Sequence, residues 1–309
     1  MAIVIFSDIE NIDQWIDALK KEDPSVDVIH REEIKDNTFV EFALTWNYPH
    51  GLFREYPSVK TIMSMGAGVD HLVNDPLLPE NINIVRIIDP TLSQDMFEFT
   101  LAVIMNRLRM LTHFHENQRQ KIWKRKRYRR ISDISIGVMG TGVIGNHIAT
   151  QLHKTGFRVS GWSRTRGGSV PYNKLHGPFQ LDDFLRNTDI LICLLPLTPA
   201  TEGILNRKNL ETLPHGSWLI NLGRGGHLVD GDLIELLDSN HLAGASLDVF
   251  REEPLPADHP FWSHPDINIT PHIASLPDPW SVAPQIMENY RRTLDNRPLI
   301  NVVDRKRGY

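Results

Sequence analysis

Residues 136–149 read IGVMGTGVIGNHIA, an apolar strand that runs into a glycine-rich loop and then into a helix. The glycines stand at Gly140, Gly142 and Gly145, which is the G-x-G-x-x-G spacing. Each acts differently. Gly140 permits a tight turn, Gly142 lets the backbone approach a pyrophosphate, and Gly145 lets the helix pack close to the sheet. The helix opens at Val143 and Ile144, where unpaired N–H groups and the positive dipole end aim at the phosphates. Glycine-rich turns also occur for purely structural reasons, so the strand-loop-helix context is what favours a dinucleotide guest.

One strand further on, Phe157–Trp162, an acidic residue would hold the free ribose hydroxyls of NAD. Here the strand runs instead into Ser163, Arg164, Thr165 and Arg166. No carboxylate stands there to repel a 2′-phosphate, and two guanidiniums with two hydroxyls are available to bind one. NADPH is therefore expected in preference to NADH, whose binding is expected to be weaker. The plainer alternative is that Arg164 and Arg166 are solvated surface charges.

A chain of 309 residues suggests about two domains, and 41% hydrophobic residues can supply their cores. The net charge of −5 argues against a general nucleic-acid binder. Lys124–Arg130 is a basic run with Tyr128 interleaved, yet it falls where a solvated connection or a subunit contact is expected. The single cysteine, Cys193, lies inside the apolar run Ile190–Leu195, so neither a disulfide framework nor a cysteine metal site is available, and no metal is expected. MAIVIF reads as a first strand rather than a signal peptide. No apolar run approaches the ~18 residues needed to span a bilayer. A soluble, cytoplasmic protein with no membrane partner is the expectation.

Strands and helices alternate, the pattern of doubly wound α/β domains. Strands are predicted at Ala2–Phe6, Phe42–Thr45, Thr61–Met65 and Asn83–Arg86, with a helix near Ile12–Lys20. A long helix is predicted from Gln94 to about Arg119, on the spacing of Met96, Phe97, Leu101, Ile104, Leu108 and Leu111. Further strands are predicted at Ser135–Met139, Arg158–Trp162, Ile190–Leu194, Trp218–Asn221, Gly244–Asp248 and Asn268–Thr270. A last helix is predicted over Pro279–Leu294.

Several ordered blocks carry a family resemblance over most of the chain. They are Met65-Gly66-Ala67-Gly68-Val69-Asp70, the glycine loop, Leu194-Leu195-Pro196-Leu197-Thr198, Asn221-Leu222-Gly223-Arg224-Gly225-Gly226, Asp248-Val249-Phe250 leading to Glu253-Pro254-Leu255-Pro256, and Thr270-Pro271-His272. With them the sequence resembles the D-isomer-specific 2-hydroxyacid dehydrogenases. The segment Trp162–Arg166 together with Gln94–Glu98 is most similar to the NADPH-dependent glyoxylate/hydroxypyruvate reductases.

The resemblance implies two doubly wound parallel-sheet domains, a Rossmann nucleotide domain (98–275) inserted in a flavodoxin-like substrate domain (1–97 and 276–309). It also implies a homodimer and a small 2-keto or 2-hydroxy acid as substrate. Arg224, Glu253 and His272 are the implied catalytic set. A histidine suits proton delivery because imidazole titrates near neutral pH, with Glu253 favouring its charged form. Arg224 would hold the ketone oxygen and carboxylate and stabilise developing negative charge. Glu252 adjoins Glu253, and the following Pro254-Leu255-Pro256 favours Glu253.

Leu195, Pro196, Leu222, Gly223 and Asp248 are implied to contact the cofactor, Asp248 through the nicotinamide carboxamide, with a helix or turn cap as its alternative. The N–H groups of Gly68 and Val69 are implied to hold the substrate carboxylate in a backbone nest, the plainer alternative for Gly66–Val69 being a simple strand-to-helix turn. Trp46 and Met96 are candidates to line the substrate pocket, and both also suit a core. Gly223 stands where the family often has a larger small residue, so a looser arginine loop is expected. Leu276-Pro277-Asp278-Pro279-Trp280 is a second departure. The expected reactions are glyoxylate to glycolate and hydroxypyruvate to D-glycerate. A bulkier keto acid, or a low-turnover nucleotide-sensing binding protein, is the alternative.

Overall fold

A computed structural model describes residues 2–7, 9 and 11–309, so Met1 of the MAIVIF strand reading lies outside the described residues. In chain order the strands are β1 (Ala2–Phe6), β2 (Asp27–His30), β3 (Phe42–Thr45), β4 (Thr61–Ser64), β5 (Asn83–Arg86), β6 (Ser135–Met139), β7 (Arg158–Ser163), β8 (Asn173–His176), β9 (Ile190–Cys193), β10 (Ser217–Asn221), β11 (Leu242–Leu247) and β12 (Ile267–Ile269). The helices are α1 (Ile12–Glu22), α2 (Asp70–Val73), α3 (Pro90–Arg109), α4 (Leu111–Arg119), α5 (Val143–Thr155), α6 (Leu181–Arg186), α7 (Arg207–Glu211), α8 (Asp230–Asp238) and α9 (Pro279–Leu294). The chain divides into two compact units, Met1–Thr91 with Pro277–Tyr309, and Leu92–Leu276.

The first unit is a five-stranded parallel sheet in the order β2-β1-β3-β4-β5. Successive side chains of a strand point to opposite faces, and in a parallel sheet both faces are buried. β1 shows this directly: Ile3 and Ile5 join one apolar cluster, Val4 and Phe6 the other. The first cluster also takes Phe42, Leu44 and Met63 from the sheet and Trp15, Val282 and Ile286 from α1 and α9. The edge strand β5 is covered by the C-terminal segment, where Arg86 N–H donates to Asn301 O at 3.2 Å and Val303 N–H to Ile84 O at 2.9 Å. Covering an edge in this way removes a template for aggregation.

The second unit is a seven-stranded parallel sheet in the order β12-β11-β10-β9-β6-β7-β8. The direction of strand succession reverses between β6 and β9, and such a switch point is where open α/β sheets bind ligands, beyond the carboxyl ends of the strands. The Gly140–Gly145 loop follows β6 at that point. Its core joins Met139, Leu191, Cys193, Leu219 and Leu247 from the strands to Phe184, Leu233 and Leu237 from the covering helices.

Three features depart from the sequence reading. β2 and β8 are additional edge strands. Their sequences, DVIH and NKLH, carry one or two apolar residues each and no run long enough to signal a strand. The long helix is two helices: Met110 takes a left-handed φ of 53° between α3 and α4, and Asn106 Nδ2 donates across the break to Thr112 Oγ1 at 3.0 Å. α3 also begins earlier, at Pro90, with Asp89 Oδ1 accepting the Thr91 N–H at 2.9 Å, a helix cap built on Asp-Pro. The compact units part at 91/92 and 276/277.

Candidate active site

The loop after β6 has the geometry that its glycines imply. Gly140 sits at φ 104°, where only glycine is unstrained, and a Cβ there would press on the Leu194 backbone at 2.6 Å. A Cβ on Gly145 would collide with the Gly140 carbonyl oxygen, so the helix can lie this close only without a side chain. Gly142 caps α5 and has nothing within 4 Å of a would-be Cβ. Thr141 Oγ1 is buried and has no hydrogen-bond partner among the described residues. An open backbone approach, an orphaned hydroxyl and a helix N-terminus at Val143 and Ile144 together fit a dinucleotide pyrophosphate.

β7 ends at Ser163, whose Oγ donates to Thr165 O at 2.9 Å and so shapes the turn that carries the arginines. Arg164, Thr165 and Arg166 are exposed there, and no carboxylate among the described residues pairs with Arg166. Leu195 and Pro196 follow β9, beside the glycine loop.

The loops after β10, β11 and β12 bring the titratable candidates together. His272 Nδ1 lies 2.7 Å from Glu253 Oε2. Glu253 Oε1 accepts the Phe250 N–H at 2.8 Å, which fixes the carboxylate plane. Burial pushes the Glu253 carboxyl up, but the hydrogen bonds from His272 and Phe250 and the charges of His272 and Arg224 outweigh it, and the net shift is downward. A carboxylate held ionised beside Nδ1 leaves Nε2 as the nitrogen free to exchange a proton with a reactant.

His272 stands at φ 53°, a left-handed conformation that costs a non-glycine residue unless its surroundings impose it. Asp248 imposes it. Its carbonyl accepts the His272 N–H at 2.8 Å. Its Oδ1 accepts from Thr270 Oγ1 at 2.5 Å and from Ile273 N–H at 3.0 Å, and its Oδ2 accepts from Ala274 N–H at 3.0 Å. The sequence reading placed Asp248 at the nicotinamide with a helix or turn cap as its alternative; these bonds make it a turn cap, and the part Thr270 plays in it went unread. The threonine before Pro271-His272 was the available signal.

Arg224 follows β10. Its Nη1 donates to Gly223 O at 2.8 Å, Asn221 Nδ2 donates to Arg224 O at 3.1 Å, and the fully buried His227 places Nδ1 3.1 Å from the Arg224 backbone nitrogen. The expected looseness at Gly223 is absent. A Cβ there would meet the His227 ring at 3.1 Å and Leu195 O at 3.2 Å, and one on Gly225 would strike the Phe250 backbone. The turn closes tightly because it is glycine-rich. Leu222 is buried beside it.

In the first unit, Ser64 Oγ donates to Gly68 O at 2.8 Å and accepts the Gly66 N–H at 3.2 Å, pinning the turn that carries Gly68 and Val69. A Cβ on Gly66 would enter the Trp46 ring, which also packs edge-on against His71 at 4.8 Å between centroids. Met96, on α3, is buried. Residues 121–130 are exposed, with Arg129 tied to Asp189 at 3.0 Å and Arg109 over the Tyr128 ring at 4.3 Å. No group of His, Cys, Asp and Glu among the described residues has metal-site geometry, and no described helix is long and apolar enough to cross a membrane.

Comparison with known proteins gives consistent matches. The family model described as D-isomer specific 2-hydroxyacid dehydrogenase, NAD binding domain, matches residues 101–274. Glyoxylate/hydroxypyruvate reductase A of Photorhabdus laumondii is 36% identical, with both chains covered in full. The Yersinia enterocolitica protein of the same name is 33% identical over the same coverage. Among solved structures, a D-isomer specific 2-hydroxyacid dehydrogenase from Xanthobacter autotrophicus in complex with NADPH and MES superposes with TM-score 0.94 at 39% identity, covering 100% of this chain and 99% of that one. An NADPH-dependent glyoxylate/hydroxypyruvate reductase from Sinorhizobium meliloti, in complex with NADP and sulfate, gives TM-score 0.92 at 34% identity, with both chains covered in full.

Proposed function

Because the chain belongs to the D-isomer-specific 2-hydroxyacid dehydrogenase family, we propose that it reduces glyoxylate to glycolate and hydroxypyruvate to D-glycerate with NADPH, and that His272 is the proton donor. The 2.7 Å pairing of His272 Nδ1 with Glu253 carries this reading. It is a proton-holding pair at the carboxyl ends of adjacent strands, in loops that also present Arg224. Bound in the cradle after β6, the reduced nicotinamide dinucleotide supplies the hydride.

The chain's own residues do the rest. His272 gives up the proton on Nε2 to the carbonyl oxygen as that oxygen gains charge, and Glu253 holds the ring by Nδ1 throughout. Arg224 donates to the same oxygen and to the carboxylate beside it, where a planar guanidinium fits both. The Gly68 and Val69 N–H groups take the carboxylate in the nest reading, while Trp46 and Met96 stay candidates for the rest of the substrate. In the reverse direction a neutral His272 accepts the proton.

Ser163, Arg164, Thr165 and Arg166 are read as the 2′-phosphate site, supported by the absence of any acidic residue at the end of β7. The structures from Xanthobacter and Sinorhizobium, which hold NADPH and NADP, support that reading by analogy. Leu195, Pro196, Leu222, Gly223 and Asp248 are read as further cofactor contacts, and the homodimer is carried over from the family resemblance.

Steady-state rates with NADPH and NADH on glyoxylate and hydroxypyruvate test substrate and cofactor together. The expected outcome is turnover of both acids with kcat/KM for NADPH at least about tenfold above NADH, the size of one lost charge-assisted contact. Equal efficiency with NADH contradicts the reading of Arg164 and Arg166, and turnover of neither acid contradicts the substrate reading.

A further inference from the structure

Arg86 ends β5, in register with Ser64 at the end of β4, and so stands at the carboxyl edge of the first unit's sheet beside the Gly66–Val69 turn. The N–H groups of Ala67, Gly68 and Val69 donate to no acceptor among the described residues. Three consecutive open donors on a pinned turn are unusual, since buried and half-buried backbone groups are nearly always paired. Arg86 Nη1 reaches the Ala67 carbonyl at 3.5 Å, the long limit of a hydrogen bond. Burial lowers the pKa of this guanidinium, and no carboxylate among the described residues pairs with it. A cation drawn partly out of water without a counter-charge costs free energy that an anion would offset.

The Ala67 carbonyl and the Gly68 N–H belong to one peptide unit. A cation on the carbonyl oxygen draws electron density from the amide and makes its N–H a stronger donor, as polarised hydrogen-bond chains do. We propose that Arg86 is a positioning residue for the substrate's carboxylate, acting through the Ala67–Gly68 peptide to strengthen the donors of the Gly68–Val69 nest. This rests on the keto-acid reading given above and assigns a residue of the first unit to it. An arginine that raises the affinity of the nest acts on binding in the ground state and the transition state alike, so its removal raises KM and spares kcat.

The test is calorimetric titration of oxalate, a carboxylate that cannot be reduced here, into the wild type, Arg86→Gln and Arg86→Lys, with and without NADP+, beside glyoxylate kinetics on the same proteins. Arg86→Gln is expected to weaken oxalate and to raise the glyoxylate KM by about tenfold, the worth of one charge-assisted hydrogen bond. Its kcat and melting temperature are expected to stay near wild type, and Arg86→Lys to recover most of the affinity. Oxalate binding unchanged in Arg86→Gln overturns the proposal, as does a lysine variant no better than glutamine, which would mean that Arg86 only packs. Failure of oxalate to bind the wild type overturns both the nest and the role of Arg86. Oxalate bound by the wild type and weakened in Arg86→Gln, with no glyoxylate turnover, sinks the reductase reading and leaves Arg86 assigned to an anion site.

Discussion

Glu253 and His272 show how far a single pair can be read. Residue type and block order pointed to both, and Pro254-Leu255-Pro256 picked Glu253 over Glu252; the side chain within reach of His272 is that of Glu253. The left-handed φ of His272 was not legible, because nothing in Thr-Pro-His requires it; it follows from the Asp248 clamp, which acts across strands. Arg86 escaped notice for the same reason, since its neighbour in space is a turn about 20 residues away in sequence, joined through β4–β5 register. The lowered pKa of Glu253 has a consequence for stability. A carboxylate depressed in the folded state gives stability that is fully present above its unfolded value near ~4.3 and is lost as pH falls through the lower folded value. The melting-temperature gap between wild type and Glu253→Gln is therefore expected to be flat at neutral pH and to shrink below about pH 4. A gap that stays constant down to about pH 3 contradicts the pairing.

At the scale of elements, the β6-loop-α5 unit was the most legible part of the chain because each of its glycines has a separate steric cause. That yields a contrast between two identical substitutions three residues apart. Gly145→Ala drives a methyl into the Gly140 carbonyl and is expected to cost about 1–3 kcal/mol of stability, as overpacking does. Gly142→Ala meets nothing within 4 Å and is expected to melt like the wild type while binding NADPH more weakly, since the methyl occupies the approach reserved for the pyrophosphate. Thermal melts and NADPH titrations separate the two effects, and a Gly142→Ala protein with unimpaired NADPH binding contradicts the cradle. The least legible elements were β2 and β8. An edge strand that is only partly buried, as β2 and β8 are, needs little apolar sequence, so its pairing is decided by the neighbouring strand rather than by its own pattern. The break at Met110 was hidden because both helices keep helical spacing on either side of it.

Across the whole molecule, the alternation of strands and helices gave two parallel sheets, and the order of six motif blocks gave the family more firmly than any one block did. Charge was informative in a different way. The chain carries −5 overall, yet residues 121–130 hold seven lysines and arginines, with Ile122 and the 94%-exposed Trp123 among them. A basic and apolar segment on an otherwise acidic chain suits contact with a second copy, which is where the homodimer expectation belongs. Light scattering is expected to give twice the 35.4 kDa chain mass, and a mass equal to one chain contradicts it.

Turnover by His272→Asn is the most direct test of the reductase reading. Asparagine tolerates the left-handed φ of 53° at this position, so the Asp248 clamp can hold its loop unchanged. Glyoxylate-dependent NADPH oxidation is expected to fall by about 10²–10⁴-fold, the usual worth of a positioned general acid, while NADPH binds as in the wild type. A variant that binds NADPH and still turns glyoxylate over at the wild-type rate would contradict His272 as the proton donor.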